Sequence, residues 1–247
     1  MNAVDPSLQP EFEPVSKPSI FEETVALLSL ALAVLFVFFF TWIAESVSHD
    51  RTQKFDLDVR AAIHHYASPG MTKTMVAVSF LGGDGLVMSA IIALALLIRF
   101  RRRRAALWLV VTLAGALVLD LSLKFAFHRH RPTPFFGPLP RTYSFPSGHA
   151  LFSFCFYGVL AGLLADRIRS RPARLAIWAG AAFLVMAIGL SRIYLGVHYP
   201  SDVVAGYLTA AIWVATMVFL DRLRIHRRMN NLGGRMKALP ATPTDRP

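Results

Sequence analysis

The chain has 247 residues, 55% of them hydrophobic and only 17% charged, where a soluble globular domain carries about a quarter charged residues. The apolar residues come in long blocks, and about 20 of them suffice for a helix to cross a hydrocarbon core of roughly 30 Å. This excludes a water-soluble domain and predicts an all-α, polytopic membrane protein. The net charge of +11 does not point to nucleic acid, because the arginines gather at the ends of apolar blocks, where they control topology and meet anionic headgroups.

In chain order, residues 1–23 carry Asp5, Glu11, Glu13, Glu22 and Glu23 against one base, Lys17. That is unlike a secretory signal, which starts basic, and the stretch is expected to be a cytoplasmic N-terminal segment. The first apolar block, 24–44, is too long for a signal core and ends near Trp42 and Glu45, so it is expected to stay as a span. Further spans are expected at 74–98, 105–127, 149–166, 174–195 and 201–221, giving a six-helix bundle over residues 24–221. Between the first two spans, Phe55, Leu57, Val59, Ala62, Ile63 and Tyr66 are spaced to suit an amphipathic helix lying in the interface. Gly82-Gly83-Asp84-Gly85 reads as a helix end and does not match a phosphate loop. The single cysteine, Cys155, rules out an intramolecular disulfide and reads as a small buried hydrophobe. Gly158 and Gly162 form a small-xxx-small pair, read as helix packing. Residues 222–247, basic and then rich in Pro and Thr, are expected to form a flexible tail.

Lysine and arginine in short loops set the orientation. The loops 99–104 (RFRRRR) and 167–174 (RIRSRPAR), and the segment running from Asp221-Arg222 to Arg227 and Arg228, fall on one face of a six-span bundle. That face is expected to be cytoplasmic and to hold both termini. The opposite face holds segments 45–73, 128–148 and 196–200. There His128, Arg129, His130, Arg131 and Arg141 break the pattern. A solvated charged loop is one reading and a functional cluster the other.

Three motifs lie on that face, each where a span meets a loop. The first is Lys124, then six residues, then Arg131-Pro132; the second is Pro146-Ser147-Gly148-His149. The third is Ser191-Arg192, five residues, His198, three residues, and Asp202. Single cations at such depth can snorkel, but Lys124, Arg131 and Arg192 together make a site for a multiply charged anion such as phosphate, which a guanidinium fork suits. Ser147 and Gly148 open the fourth span, where unpaired N–H groups and the helix dipole favour phosphate; an ordinary serine cap is the alternative. Asp202, four residues after His198, can hold one ring nitrogen and leave the other free to attack; a solvated interfacial pair is the alternative. Asp120 is one turn before Lys124 and can position it. Arg141, His128 and His130 border a headgroup or belong to an exposed loop.

These motifs, in this order and at these spacings, resemble those of the type-2 phosphatidic acid phosphatase superfamily, over residues 124–202. The resemblance implies a membrane enzyme in which His198 attacks phosphorus and forms a phosphohistidine, with Asp202 orienting it. His149 would protonate the leaving oxygen and then activate water. Lys124, Arg131 and Arg192, with Ser147 and Gly148, would hold the phosphoryl oxygens, without a metal ion or other cofactor. The implied partner is a lipid phosphate within the bilayer: undecaprenyl pyrophosphate, phosphatidylglycerol phosphate or phosphatidic acid. In a bacterium the site would face the periplasm from the inner membrane. A lipid phosphotransferase would use the same residues, and a non-catalytic lipid-binding or transport protein is the alternative of another class.

Overall fold

The computed structural model describes the backbone of residues 20–237 and the side chains of residues 31–221. Most of the acidic N-terminal segment and the last ten residues of the expected tail lie outside the described residues. The described chain is helical, with no strand: α1 (Ile20–Ser48), α2 (Gln53–His65), α3 (Pro69–Phe80), α4 (Asp84–Arg99), α5 (Arg103–Phe127), α6 (Gly148–Ala165), α7 (Arg171–Tyr194) and α8 (Pro200–Lys237). Helical backbone thus continues past residue 221, into the stretch read from sequence as tail. Among the described residues, six stretches are long and apolar enough to cross a membrane: Ala31–Ser48, Pro69–Arg99, Arg103–Phe127, Gly148–Ala165, Arg171–Tyr194 and Pro200–Asp221. Val34, Phe38, Ile91, Val118, Phe125 and Phe183 are each more than 60% exposed, as side chains facing lipid rather than water would be.

Backbone contacts divide the chain into two units. One, Ala33–Met217, contains all the motif residues. The other consists of Met1–Leu32 and Val218–Pro247, and of it the structure describes outer parts of α1 and α8.

The second span, expected at 74–98, starts earlier and runs as two helices. It begins at Pro69, where Ser68 accepts a capping bond from Met71 N at 3.3 Å and proline starts the helix. It is then broken between Phe80 and Asp84. Gly82 N bonds Ser79 O and Gly83 N bonds Phe80 O, closing tight turns. Tyr157 Oη of α6 donates to the freed Leu81 carbonyl at 2.8 Å, as apolar surroundings demand of an opened helix. The GGDG run is therefore a helix end, but one inside a span.

Small residues carry the close contacts of the bundle. Ala116 of α5, Leu151 and Cys155 of α6 and Ala210 of α8 form one buried cluster, so Cys155 is the packing residue the sequence suggested. Trp213 of α8 lies where a side chain on Gly115 would sit and donates to Thr112 O at 2.9 Å. Gly158, by contrast, has nothing within 4 Å of a built Cβ, and Gly162 only approaches Trp178 at 3.9 Å. The expected small-xxx-small pair is not a tight helix contact here.

Candidate active site

The segments between α1 and α3, between α5 and α6, and between α7 and α8 pack together at one end of the helices. Phe135 N bonds Leu195 O at 3.0 Å, and Ser144 N bonds Arg129 O at 2.9 Å. Arg60 of α2 donates to Thr133 O at 2.8 Å and to Gly196 O at 3.1 Å. The amphipathic helix expected between the first two spans is α2, but two of its charged residues turn inward, while Lys54 and Asp58 pair on the exposed side. Asp56 and Arg60 are buried, whereas Phe55 and Leu57 are exposed.

Lys124, buried near the end of α5, forms an ion pair with Asp120 one turn earlier. Gly148 starts α6 against that pair: a Cβ there would stand 3.0 Å from Asp120 Oδ1 and 3.4 Å from Lys124 Nζ. Its lack of a side chain thus lets the α6 N-terminus approach a buried cation. Ser147 is fully buried and its N bonds Asp202 O at 2.9 Å. Its hydroxyl makes no capping bond and has no partner, leaving the donor available. His149 has no hydrogen-bond partner among the described residues and lies within electrostatic reach of Arg192, His198, Arg131 and Lys124.

His198 is 1% exposed and is bonded on both ring nitrogens. Nδ1 meets Asp202 Oδ2 at 3.3 Å and Nε2 meets Arg131 Nη1 at 2.9 Å. A guanidinium can only donate, so Nε2 carries the lone pair and the proton resides on Nδ1, facing the carboxylate. Burial pushes the His198 imidazole down to about 4; Asp202 opposes the shift, and the Arg131 charge adds to it. The ring is therefore neutral at ordinary pH. Asp202 lies in the first turn of α8, where Oδ2 also accepts from Tyr199 N at 2.9 Å, the backward half of a capping box. Arg131 is held by Val197 O at 2.8 Å and Thr142 O at 2.7 Å.

Arg192, near the end of α7, donates from Nη1 to Ser79 Oγ at the end of α3, while its Nε is buried without a partner. The break after α3 reaches the second histidine. A Cβ on Gly83 would lie 3.0 Å from His149 Nε2, and one on Gly82 3.1 Å from His149 Cδ2. The structure thus gathers Lys124, Asp120, Arg131, Ser147, Gly148, His149, Arg192, His198 and Asp202. Arg141 is left exposed, with no bond to the cluster, and His128 is exposed with its ring edge-on to Tyr143, centroids 4.7 Å apart.

Sequence reasoning missed Ser79 and Asp56, and it named the Gly82–Gly83 helix end and Arg129 without giving either a place at the site. Arg129 donates from Nη1 to Asp202 Oδ1 at 2.6 Å and from Nη2 to Asp56 Oδ2 at 2.8 Å. Two signals were available: an acid and a base four apart on α2, Asp56 and Arg60, and an arginine two residues before the motif arginine.

Among the described residues, six apolar helical spans, with Lys124, Arg131 and Arg192 gathered near two histidines, define a membrane protein with a cationic site. A model of the PAP2 superfamily matches residues 105–225. Phosphatidylglycerophosphatase B of Bacillus subtilis is 28% identical over 178 residues, 70% of this chain and 86% of that protein. Undecaprenyl-diphosphatase of Sulfolobus acidocaldarius is 32% identical over 128 residues, 49% of this chain and 57% of that protein. The crystal structure of a transmembrane PAP2-type phosphatidylglycerolphosphate phosphatase from Bacillus subtilis shares the fold, with a TM-score of 0.70 at 24% identity, covering 77% of this chain and 96% of that one. The chain belongs to the PAP2 superfamily, and it is an integral membrane protein.

Proposed function

We propose that this chain is a lipid phosphatase that cleaves a phosphomonoester or pyrophosphate of a membrane lipid through a phosphohistidine on His198. The observation that carries the proposal is the bonding of His198. Asp202 accepts from Nδ1, and the lone pair of Nε2 is turned toward Arg131. Arriving phosphate draws the Arg131 guanidinium onto its own oxygens and uncovers Nε2 for attack. The Nε2–P bond forms as the bond from phosphorus to the leaving oxygen breaks, and His149 gives that oxygen its proton. Water then attacks phosphorus, His149 takes its proton, and inorganic phosphate leaves with His198 restored.

Lys124, Arg131 and Arg192, with the unpartnered Ser147 hydroxyl and the N–H groups opening α6, stabilise the phosphoryl oxygens. Preorganised cations of this kind fill the role that metal ions play in other phosphoryl-transfer sites, so no metal is required. Asp120 positions Lys124. The names of the relatives support phosphatidylglycerophosphate and undecaprenyl diphosphate as substrates, and phosphatidic acid shares the same headgroup chemistry. The arginine-rich loops 99–104 and 167–174 stand at the opposite ends of α5 and α6 from Lys124 and His149. By the positive-inside rule they support a site on the periplasmic face of the inner membrane, with both termini cytoplasmic.

The test is phosphate release from a panel of these lipids by the purified protein in detergent containing EDTA, beside His198→Ala. Release by the wild type alone is the expected result. Binding of every lipid with no release would overturn the hydrolase assignment and favour transfer to an acceptor or simple binding.

A further inference from the structure

Taking His198 as nucleophile and Asp202 as its partner, on which this inference rests, we infer that Arg129 is a positioning residue of the reaction. With Asp56 it holds the Asp202 carboxylate in the orientation that serves His198.

Arg129 and Arg131 share one loop and serve opposite sides of the same histidine. Arg131 Nη1 meets His198 Nε2. Arg129 Nη1 instead meets Asp202 Oδ1 at 2.6 Å and Ser201 Oγ at 2.8 Å. Its Nη2 meets Asp56 Oδ2 at 2.8 Å, and its guanidinium lies 4.2 Å from the centroid of the Tyr199 ring. Asp56 is fully buried and accepts from Ser201 N at 3.0 Å and Ser201 Oγ at 2.6 Å. Each oxygen of both carboxylates is therefore occupied: Oδ1 of Asp202 by Arg129, and Oδ2 by Tyr199 N and His198 Nδ1. Turning the Asp202 carboxylate would strand a guanidinium N–H and a backbone N–H in a buried site, each an unmet donor. Asp56 brings the second negative charge and ties the network to α2, so the nucleophile's orientation depends on a helix that carries none of the three motifs.

The network also sets the charge that His198 feels. Facing it are Asp202 from α8, Arg131 from the loop, Arg192 from α7 and His149 from α6; Arg129 and Asp56 stand behind Asp202. Arg129 neutralises part of the Asp202 charge. Without it the carboxylate would act on the imidazole in full, favouring its protonated, non-nucleophilic form.

The experiment compares kcat, KM and the pH profile of kcat/KM for wild type, Arg129→Gln, Arg129→Lys and His198→Ala. It uses the lipid phosphate that the wild type hydrolyses fastest, and inorganic phosphate binding is followed by calorimetry. In Arg129→Gln, kcat is expected to fall about 100-fold, the scale of a misplacement of about 1 Å, with the acid limb moved to higher pH. Phosphate binding is expected to persist, because Lys124, Arg131 and Arg192 are untouched. Arg129→Lys, which keeps the charge but not the fork, should recover part of the rate. An unmoved acid limb in Arg129→Gln overturns the inference, as does loss of phosphate binding in step with activity, which would mean a merely structural role. Should Arg129→Gln not fold, Arg129→Lys decides: a lowered kcat with phosphate binding retained supports the inference, and an unchanged kcat overturns it. Retained activity in His198→Ala would instead remove the nucleophile assignment itself; an inactive His198→Ala beside unaltered Arg129 variants removes only the positioning role.

Discussion

His198 meets partners on both ring nitrogens within the folded chain, whereas His149 has no hydrogen-bond partner among the described residues and borders the glycines of a broken span. The two histidines belong to one site, yet one is fixed before substrate arrives and the other is kept clear. An attacking nitrogen needs a set tautomer and a set direction, which Asp202, Arg131 and the network behind Asp202 supply. A group that must reach a leaving oxygen and then a water needs room. Gly82 and Gly83 supply it by ending α3 beside the ring, while Ser79 in the last turn of α3 holds Arg192. In the proposed mechanism, preorganisation is thus concentrated on the nucleophile and withheld from the acid.

Substitutions can sharpen or break this contrast. The largest effect is expected for His198→Ala, a loss of about 10⁴-fold or more in kcat, on the scale of removing a nucleophile elsewhere; single-turnover assays check it. Asp202→Asn should lower kcat by roughly 10³–10⁴-fold, as when a triad histidine loses its orienting carboxylate, with less effect on inorganic phosphate binding. On the other half, Gly83→Ala would put a Cβ 3.0 Å from His149 Nε2. It should lower kcat by about 10–100-fold, most for lipids with poor leaving groups, which depend most on the proton from His149. Equal losses for good and poor leaving groups would break the assignment of that half.

The pH dependence separates the halves by sign. The His198 imidazole, pushed down to about 4, is neutral and competent above that value. The acid limb that it contributes to kcat/KM should therefore lie near pH 4, not near the ordinary histidine value of about 6.5. Asp202→Asn removes the influence that raises the pKa and should move the limb lower still, opposite to Arg129→Gln. The smallest effect is expected for Arg141→Ala, less than about twofold, since this exposed residue makes no bond to the cluster.

Much of this was legible in the sequence. Six apolar blocks marked the spans, three motifs at fixed spacings marked eight of the residues now found together, and the Asp120–Lys124 spacing marked a ninth. The rest depended on tertiary contacts. Asp56 and Arg60 look like the wet face of an amphipathic helix until α2 is laid against loops far along the chain, where these two turn inward and Phe55 and Leu57 turn out. Arg129 is one charge in a run of basic residues, distinguished only by the buried carboxylates it meets. The break at Gly82–Gly83 is invisible to average hydropathy, which stays high across it; only the nearness of Ile188 and His149 shows what the glycines are for. Arg141 read as a candidate because sequence adjacency to the motifs does not fix where an exposed loop residue points.

The most direct test of the nucleophile assignment is to trap the covalent enzyme. Wild type, His149→Ala and His198→Ala would be mixed with a lipid carrying radiolabelled phosphate, quenched in alkali, where phosphohistidine survives, and digested to locate the label. The expected result is label on the peptide containing His198, increased in His149→Ala, where hydrolysis of the intermediate lacks its base, and absent from His198→Ala. Turnover by the wild type with no label retained in any variant, or label that persists in His198→Ala, would contradict it.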